Sequence, residues 1–308
     1  MYTAEPVFRF AHLSDPHLTD PSGASARELA GKRALGYLSW LRRRRHEHRR
    51  EFLEGLAKDL HARSPDHTVV TGDLTHISLP QEFLEARAWL SSIGSGDRVT
   101  VVPGNHDAYV QMPWESALGQ WTDYMQTDVA QPASGTPFPI VRVRGQIAFI
   151  GLNSAVPTPA LFATGKLGES QMRRLEDTLV SLDDSGLLRV LLIHHPPVPG
   201  TEKWRKRLID APVLCRLLER TPVDIVLHGH QHRPGHALVR ITDREIPVFG
   251  IPSASAAGLH CAHASTYNEY DVRLHPHGFR VDVKARRWHH ETEAYVEEPI
   301  ASLDIARD

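Results

Sequence analysis

Six short apolar runs recur along the chain, each closing on a turn-forming Gly, Pro, Asn or Asp. They are Phe8–Leu13, Thr68–Thr71, Arg98–Val102, Ile147–Gly151, Arg189–Ile193 and Asp224–Leu227. Runs this short, bounded by breakers, read as buried strands of an α/β sheet. Helical patterns lie between them. Leu79–Ile93 follows Ser78 as its cap, with Phe83, Leu84, Ala86, Trp89 and Leu90 at helical spacing, and Glu169–Leu182 and Asp210–Arg220 repeat the theme, the last with Pro212 in its first turn. The final third alternates with period two: His236–Ile241 with Ile246–Ile251 around Asp243, and Tyr267–Leu274 with Phe279–Ala285 around His275-Pro276-His277-Gly278, read as antiparallel hairpins. No repeat or linker divides the chain. The expectation is one domain over 1–285, a helical basic insertion at about 21–62, and a polar tail over 286–308.

The composition limits the function. Of 308 residues, 41% are hydrophobic and 23% charged, which suits a globular chain with a sizeable core. Lys+Arg 35 against Asp+Glu 37 leaves −2, so the overall basic field of a nucleic-acid binder is absent and no nucleic-acid partner is expected. No apolar run has the roughly 18 residues of a membrane span. The strand-like pattern starts at Val7, and no signal peptide is expected. Cys215 and Cys261 are the two cysteines, too few for a disulfide scaffold or a thiolate zinc site, so a cytoplasmic location is expected. Histidine is the outlier, with 20 residues, and directs attention to metal ligation.

The chemistry sits where the strands end. The first run ends in Asp15-Pro16-His17, the second in Gly72-Asp73 and the third in Gly104-Asn105-His106-Asp107. Later runs end in His194-His195-Pro196-Pro197 and His228-Gly229-His230-Gln231-His232. Open α/β sheets bind ligands beyond the carboxyl ends of their strands. One such Asp-x-His or Asn-His would be ordinary turn chemistry. Five in succession bring carboxylates, an amide and imidazoles to a single rim, a mixed donor set that suits Mn, Fe, Zn or Co over Mg or Ca.

Asp15-x-His17, Gly72-Asp73, Gly104-Asn105-His106-Asp107, His194 and Gly229-His230-x-His232 resemble, in order, the five motifs of the calcineurin-like metallophosphoesterases, over residues 8 to about 250. The resemblance implies two mixed β-sheets sandwiched between helices, a four-layer α/β/β/α fold, with two metal ions (Mn, Fe or Zn) at the strand ends. Carried over by motif, it makes Asp73 the bridging ligand, gives Asp15, His17 and His232 to one ion, and gives Asn105, His194 and His230 to the other. It also implies that His106 faces the phosphate as an acid or donor, with Asp107 orienting its ring. Attack by a metal-bound hydroxide on phosphorus follows. Of the remaining histidines, His195 is expected to face away from the ions, His228 to be a core histidine or to touch the site, and His76 to be solvated. His46, His48, His260, His263, His275, His277, His289 and His290 are expected mostly at the surface.

Local departures select a branch. Leu74-Thr75-His76 and Asp107 stand where protein Ser/Thr phosphatases carry Asp-Arg-Gly and Glu. His76 replaces the ligand Tyr of purple acid phosphatases, and His106 the Arg of UDP-2,3-diacylglucosamine hydrolases. Gly-Asn-His-Asp with His-His-Pro-Pro is most similar to class III cyclic-nucleotide and glycerophosphodiester phosphodiesterases. A phosphodiesterase acting on a small phosphodiester is the expectation. The alternatives are a hydrolase of a phospholipid or lipid-linked pyrophosphate, and a catalytically inactive binding scaffold. Leu35, Tyr37, Leu38, Trp40 and Leu41 lead into the basic run Arg42–Arg50. Tyr37–Arg50 has the composition of a membrane-surface element or of a groove for an anionic ligand. The favoured expectation is a helix with a solvated basic face, packed on the sheet through Phe52, Leu53, Leu56 and Leu60.

Overall fold

The computed structural model describes residues 8–129, 136–241, 244–259 and 263–307. The elements run β1 (Phe8–Leu13), α1 (Lys32–Ser39), a π turn Trp40–Arg44, a single turn α2 (Arg45–Glu47), α3 (Arg50–Arg63), β2 (His67–Val70), α4 (Pro80–Ile93) and β3 (Val99–Val101). They continue through β4 (Ile140–Arg144), β5 (Ile147–Gly151), α5 (Glu169–Ser181), β6 (Leu188–Ile193), α6 (Ala211–Arg220) and β7 (Ile225–His228). Antiparallel strands close the chain: β8 (Gly235–Ile241), β9 (Arg244–Gly250), β10 (Thr266–His275), β11 (Gly278–His289) and β12 (Ala294–Ala306).

Two mixed sheets result, ordered β12-β11-β10-β1-β2-β3 and β4-β5-β6-β7-β9-β8. The triplets β1-β2-β3 and β5-β6-β7 are parallel. Parallel strands are buried on both faces, which explains why these runs are apolar without alternation. Between the sheets Phe10 meets Phe149 edge-on at 5.1 Å and stacks on Tyr270 at 4.5 Å. Helices cover the outer faces. Leu53, Leu56 and Leu60 of α3 and Phe83, Ala86 and Leu90 of α4 join the core of the first sheet. Met172, Leu175 and Leu179 of α5 and Leu214, Leu217 and Leu218 of α6 cover Ile150, Leu191 and Val226 of the second. This is the α/β/β/α sandwich.

Three expectations change. The residues read as a polar tail are strand: β11 continues to His289, and β12 pairs along it from Ala294 to Ala306. An edge strand turns one face to water, so its polarity reflects alternation. Ala301, Leu303 and Ile305 pack on the core, while Asp304 pairs with Arg280 outside. Strand β4 is an addition. The cap of α4 is Leu79, not Ser78, and the Glu82 carboxylate takes over the capping by accepting N–H bonds from His76, Ile77 and Leu79. The turn at Asp243, and with it His260 and Cys261, lie outside the described residues.

Candidate metal centre

All five motif-bearing loops leave the carboxyl ends of β1, β2, β3, β6 and β7 toward one rim. Their backbones are tightly constrained. Asp15, His17, Asp73, His230 and His232 all have φ between 38° and 69°, the left-handed region that non-glycine residues rarely occupy. The neighbouring glycines make this crowding feasible. Gly72 has φ 93°, and a Cβ there would lie 2.5 Å from the Gly104 nitrogen and 2.8 Å from His194 Nδ1.

The donor atoms form two groups that share one carboxylate. Asp15 Oδ1 lies 3.0 Å from His232 Nε2, and His232 Nε2 lies 3.4 Å from His17 Nε2. Asn105 Oδ1 lies 2.8 Å from His230 Nδ1 and 3.2 Å from His194 Nε2. Between them, Asp73 Oδ2 lies 3.8 Å from His17 Nε2 and 3.4 Å from His194 Nε2. The structure thus brings together all seven residues expected to bind metal.

Backbone carbonyls fix the imidazole tautomers. His17 Nδ1–H donates to Thr75 O at 3.1 Å and His194 Nδ1–H to Thr71 O at 2.7 Å, so both Nε2 atoms aim into the site. Burial holds His17 and His230 well below the usual imidazole pKa. Burial also opposes charge on His194 and Asp15. The Asp73 carboxylate nevertheless pushes His194 up to about 9, and His232 holds Asp15 below the usual carboxylate range. Imidazole nitrogens that face one another, beside carboxylate and amide oxygens, and a buried His230 Nε2 with no hydrogen bond among the described residues bring donor atoms together in one pocket. Such a pocket fits transition-metal ions.

Other histidines behave differently from expectation. His76 is buried, not solvated, because Glu82 gathers its backbone inward; its ring stacks on His17 at 5.2 Å. Asp107 does not orient the His106 ring. Its carboxylate accepts backbone N–H bonds from Asp73, Leu74, Thr75 and Gly104 at 2.9–3.0 Å, tying two motif loops together. The carbonyl of His76 holds His106 Nδ1, at 2.6 Å. His195 has both nitrogens engaged, with Ser154 Oγ at 2.8 Å and Ala163 O at 3.2 Å, although a nitrogen of it also lies within 4.8 Å of donor atoms of His194 and His230. His228 is buried behind the rim, bonded to Gly229 O.

The basic insertion is the part that the sequence misplaces. Arg43, Arg44 and His48 line the site together with Lys206. Arg44 Nη1 lies 3.1 Å from His106 Nδ1, so the basic face is not merely solvated. His48 is half-buried against the site. Its ring centroid lies 4.4 Å from that of His17, and Ser255 Oγ holds its Nδ1 at 2.8 Å. The Arg42–Arg50 run is conspicuous in the sequence, but nothing in it reveals that the π turn folds back over the rim.

A family profile described as calcineurin-like phosphoesterase matches residues 8–234. The chain belongs to the calcineurin-like phosphoesterase family. A protein of Rhodococcus erythropolis named a probable cyclic nucleotide phosphodiesterase is 27% identical over 187 residues, 59% of this chain and 56% of that protein. One of Synechococcus, with the same description, is 27% identical over 178 residues, 57% of this chain and 61% of its own length. The aligned regions therefore span less than two thirds of these relatives. Among solved structures, a dimetal phosphatase from Danio rerio aligns with a TM-score of 0.55 at 13% identity, covering 95% of this chain and 99% of its own; at that identity the likeness is one of fold. No helix among the described residues is long and apolar enough to cross a membrane.

Proposed function

We propose that this member of the calcineurin-like phosphoesterase family is a metal-dependent phosphoric ester hydrolase that cleaves a small phosphodiester at a two-ion centre. The observation that carries the reading is the position of Asp73 Oδ2, 3.8 Å from His17 Nε2 and 3.4 Å from His194 Nε2, where one anionic oxygen serves two donor groups. Asp15, His17 and His232 would hold one ion and Asn105, His194 and His230 the other, with Asp73 shared. Ions bound there supply positive charge to the phosphoryl group and lower the pKa of water.

The chain's own residues do the rest. Thr71 and Thr75 carbonyls keep the ligand tautomers, and Asp107 locks the Asp73 and Asn105 loops in register. His106 donates Nδ1–H to the His76 carbonyl, and burial with Arg44 beside it keeps the unliganded ring neutral; once an anionic phosphoryl group beside the ring favours a second proton on Nε2, that proton can pass to the leaving oxygen or be shared with the phosphoryl group. The relatives named as probable cyclic nucleotide phosphodiesterases favour a diester substrate. One observation supports a second reading, a phospholipid or lipid-linked pyrophosphate. Leu161 is 78% and Trp204 60% exposed, in segments that also carry the site-lining Ala163 and Lys206.

A substrate panel with added Mn tests both readings: bis-p-nitrophenyl phosphate, p-nitrophenyl phosphate, cyclic AMP, glycerophosphodiesters and a lipid pyrophosphate. The expected result is metal-dependent turnover with a preference for diesters. Preference for the monoester, or no Mn-dependent turnover of any compound, would overturn the first reading; preference for the lipid would select the second.

A further inference from the structure

The basic insertion places a cation at the reacting centre that the five motifs do not supply. Arg44 ends the π turn Trp40–Arg44, and its guanidinium enters the pocket that contains Asp73, Asn105 and His106. π turns in helices frequently mark functional positions. The only hydrogen-bond contact of the Arg44 guanidinium among the described residues is His106 Nδ1, at 3.1 Å. That nitrogen already faces the His76 carbonyl at 2.6 Å and can offer its proton there or a lone pair to Arg44, not both. No carboxylate among the described residues lies within ion-pair distance of Arg44. A guanidinium presents five N–H donors in a planar fork suited to carboxylate or phosphate, so a half-buried one that lines the site with no carboxylate within ion-pair distance has donors to spare.

Its position is held from two sides. On one side, Lys32 Nζ donates to Tyr109 O at 2.9 Å, and Arg33 reaches the carbonyls of Ile77 and Ser78. Gly36 lets α1 approach so closely that a Cβ there would lie 2.5 Å from Ile77 Cγ2. On the other side, Arg49 N donates to Ser255 O at 3.0 Å and Ala257 N to Glu47 O at 2.8 Å, joining the insertion to the loop after β9. The arginine is therefore placed before any ligand arrives, the condition under which a charged donor contributes most to a transition state.

We propose that Arg44 is a substrate-binding residue whose guanidinium donates hydrogen bonds to a non-bridging oxygen of the phosphoryl group being hydrolysed. The assignment rests on the reading of this rim as a phosphodiesterase centre, and it adds a permanently charged donor from outside the five motifs. Arg43 and Lys206, which line the same pocket, extend the positive wall toward the mouth.

The test compares wild type, Arg44→Ala, Arg44→Gln and, as control, the exposed Arg42→Gln, all loaded with Mn. Metal content, kcat/KM for bis-p-nitrophenyl phosphate and the affinity for inorganic phosphate by calorimetry are measured on each. Arg44→Ala and Arg44→Gln should keep wild-type metal content, lose about 10²–10³-fold in kcat/KM, and bind phosphate about tenfold more weakly, the lower end for a hydrogen bond to a charged group. Guanidinium in the buffer should restore part of the activity of Arg44→Ala. Arg42→Gln should match wild type. If Arg44→Ala does not fold, the Gln variant, which keeps the first methylenes and a polar end without the charge, decides. Phosphate affinity and kcat/KM within threefold of wild type in the Gln variant would overturn the proposal. If wild type itself turns over no diester, the functional reading fails on that result, and the phosphate titration still decides whether Arg44 binds the anion.

Discussion

Five residues of the donor set hold left-handed backbone, a conformation that costs about 1–3 kcal/mol each outside glycine. Such strain persists only where surrounding contacts over-determine it, and here the Asp107 carboxylate supplies several of them. At this scale the shared position of Asp73 makes the clearest prediction. Asp73→Ala should lower bound metal and abolish turnover together, because both donor groups lose their common anion; elemental analysis showing two ions per chain in that variant would refute the bridging role. His106→Ala should separate the two effects. Metal content should stay at the wild-type level while turnover falls by roughly 10²–10⁴. The loss should be smaller for p-nitrophenolate, a leaving group that needs little protonation, than for an alkoxide. Equal losses for both would recast His106 as a donor to the phosphoryl group.

At the scale of elements, α1 and the π turn act as one rigid wall. Gly36→Val would push branched carbon into Ile77 and into the Tyr109 hydroxyl, which a Cβ alone would approach at 2.8 Å. Overpacking of this kind costs about 1–3 kcal/mol, and misplacing a positioned group by an ångström can cost about 10² in rate. The variant should therefore keep its metal while kcat/KM drops; unchanged kinetics would show that the wall does not set the site. The parallel strands were legible because burial on both faces writes an apolar run, unbroken at Ile147–Gly151 and interrupted by Arg9 and His12 at Phe8–Leu13, and the donor loops were legible because each follows such a run. Strand β4 escaped notice since its Arg142 and Arg144 read as surface, although Arg142 is buried and bonded to the Gly96 carbonyl. Strand β12 escaped for the opposite reason, its edge chemistry being that of a tail. Arg44 and His48 were visible as residues but not as site residues, because their placement depends on contacts with Ser255, Ala257, Ile77 and Ser78, which lie far away in sequence.

For the whole molecule, the sandwich interior carries a built-in acid sensitivity. His67 sits between the sheets, fully buried, stacked on Phe149 at 4.9 Å and bonded through Nε2 to Thr100 Oγ1 at 2.8 Å. Burial, helped by Arg144, lowers it from 6.5 to about 3. Between those values the unfolded chain binds a proton at this position that the folded chain refuses, so stability rises with pH across that window and falls as the solution is acidified. The contribution approaches about 1.4 kcal/mol per pH unit. Urea unfolding between pH 4.5 and 7 should show a shallower acid limb for His67→Phe than for wild type, and parallel limbs would rule the histidine out as a source.

The insertion is fastened at both ends, by the Arg33 side chain to the Ile77 and Ser78 carbonyls and by backbone hydrogen bonds to the Ser255–Ala257 loop, while none of the seven donor residues comes from it. Under the proposed roles, hydrolysis and recognition lie in separate stretches of chain. A cassette of about residues 32–49 could be exchanged for another of the same span, leaving the strand-end donors in place and changing only which esters are admitted, so that new selectivity in such a protein arises by replacing a wall and not by rebuilding a hearth.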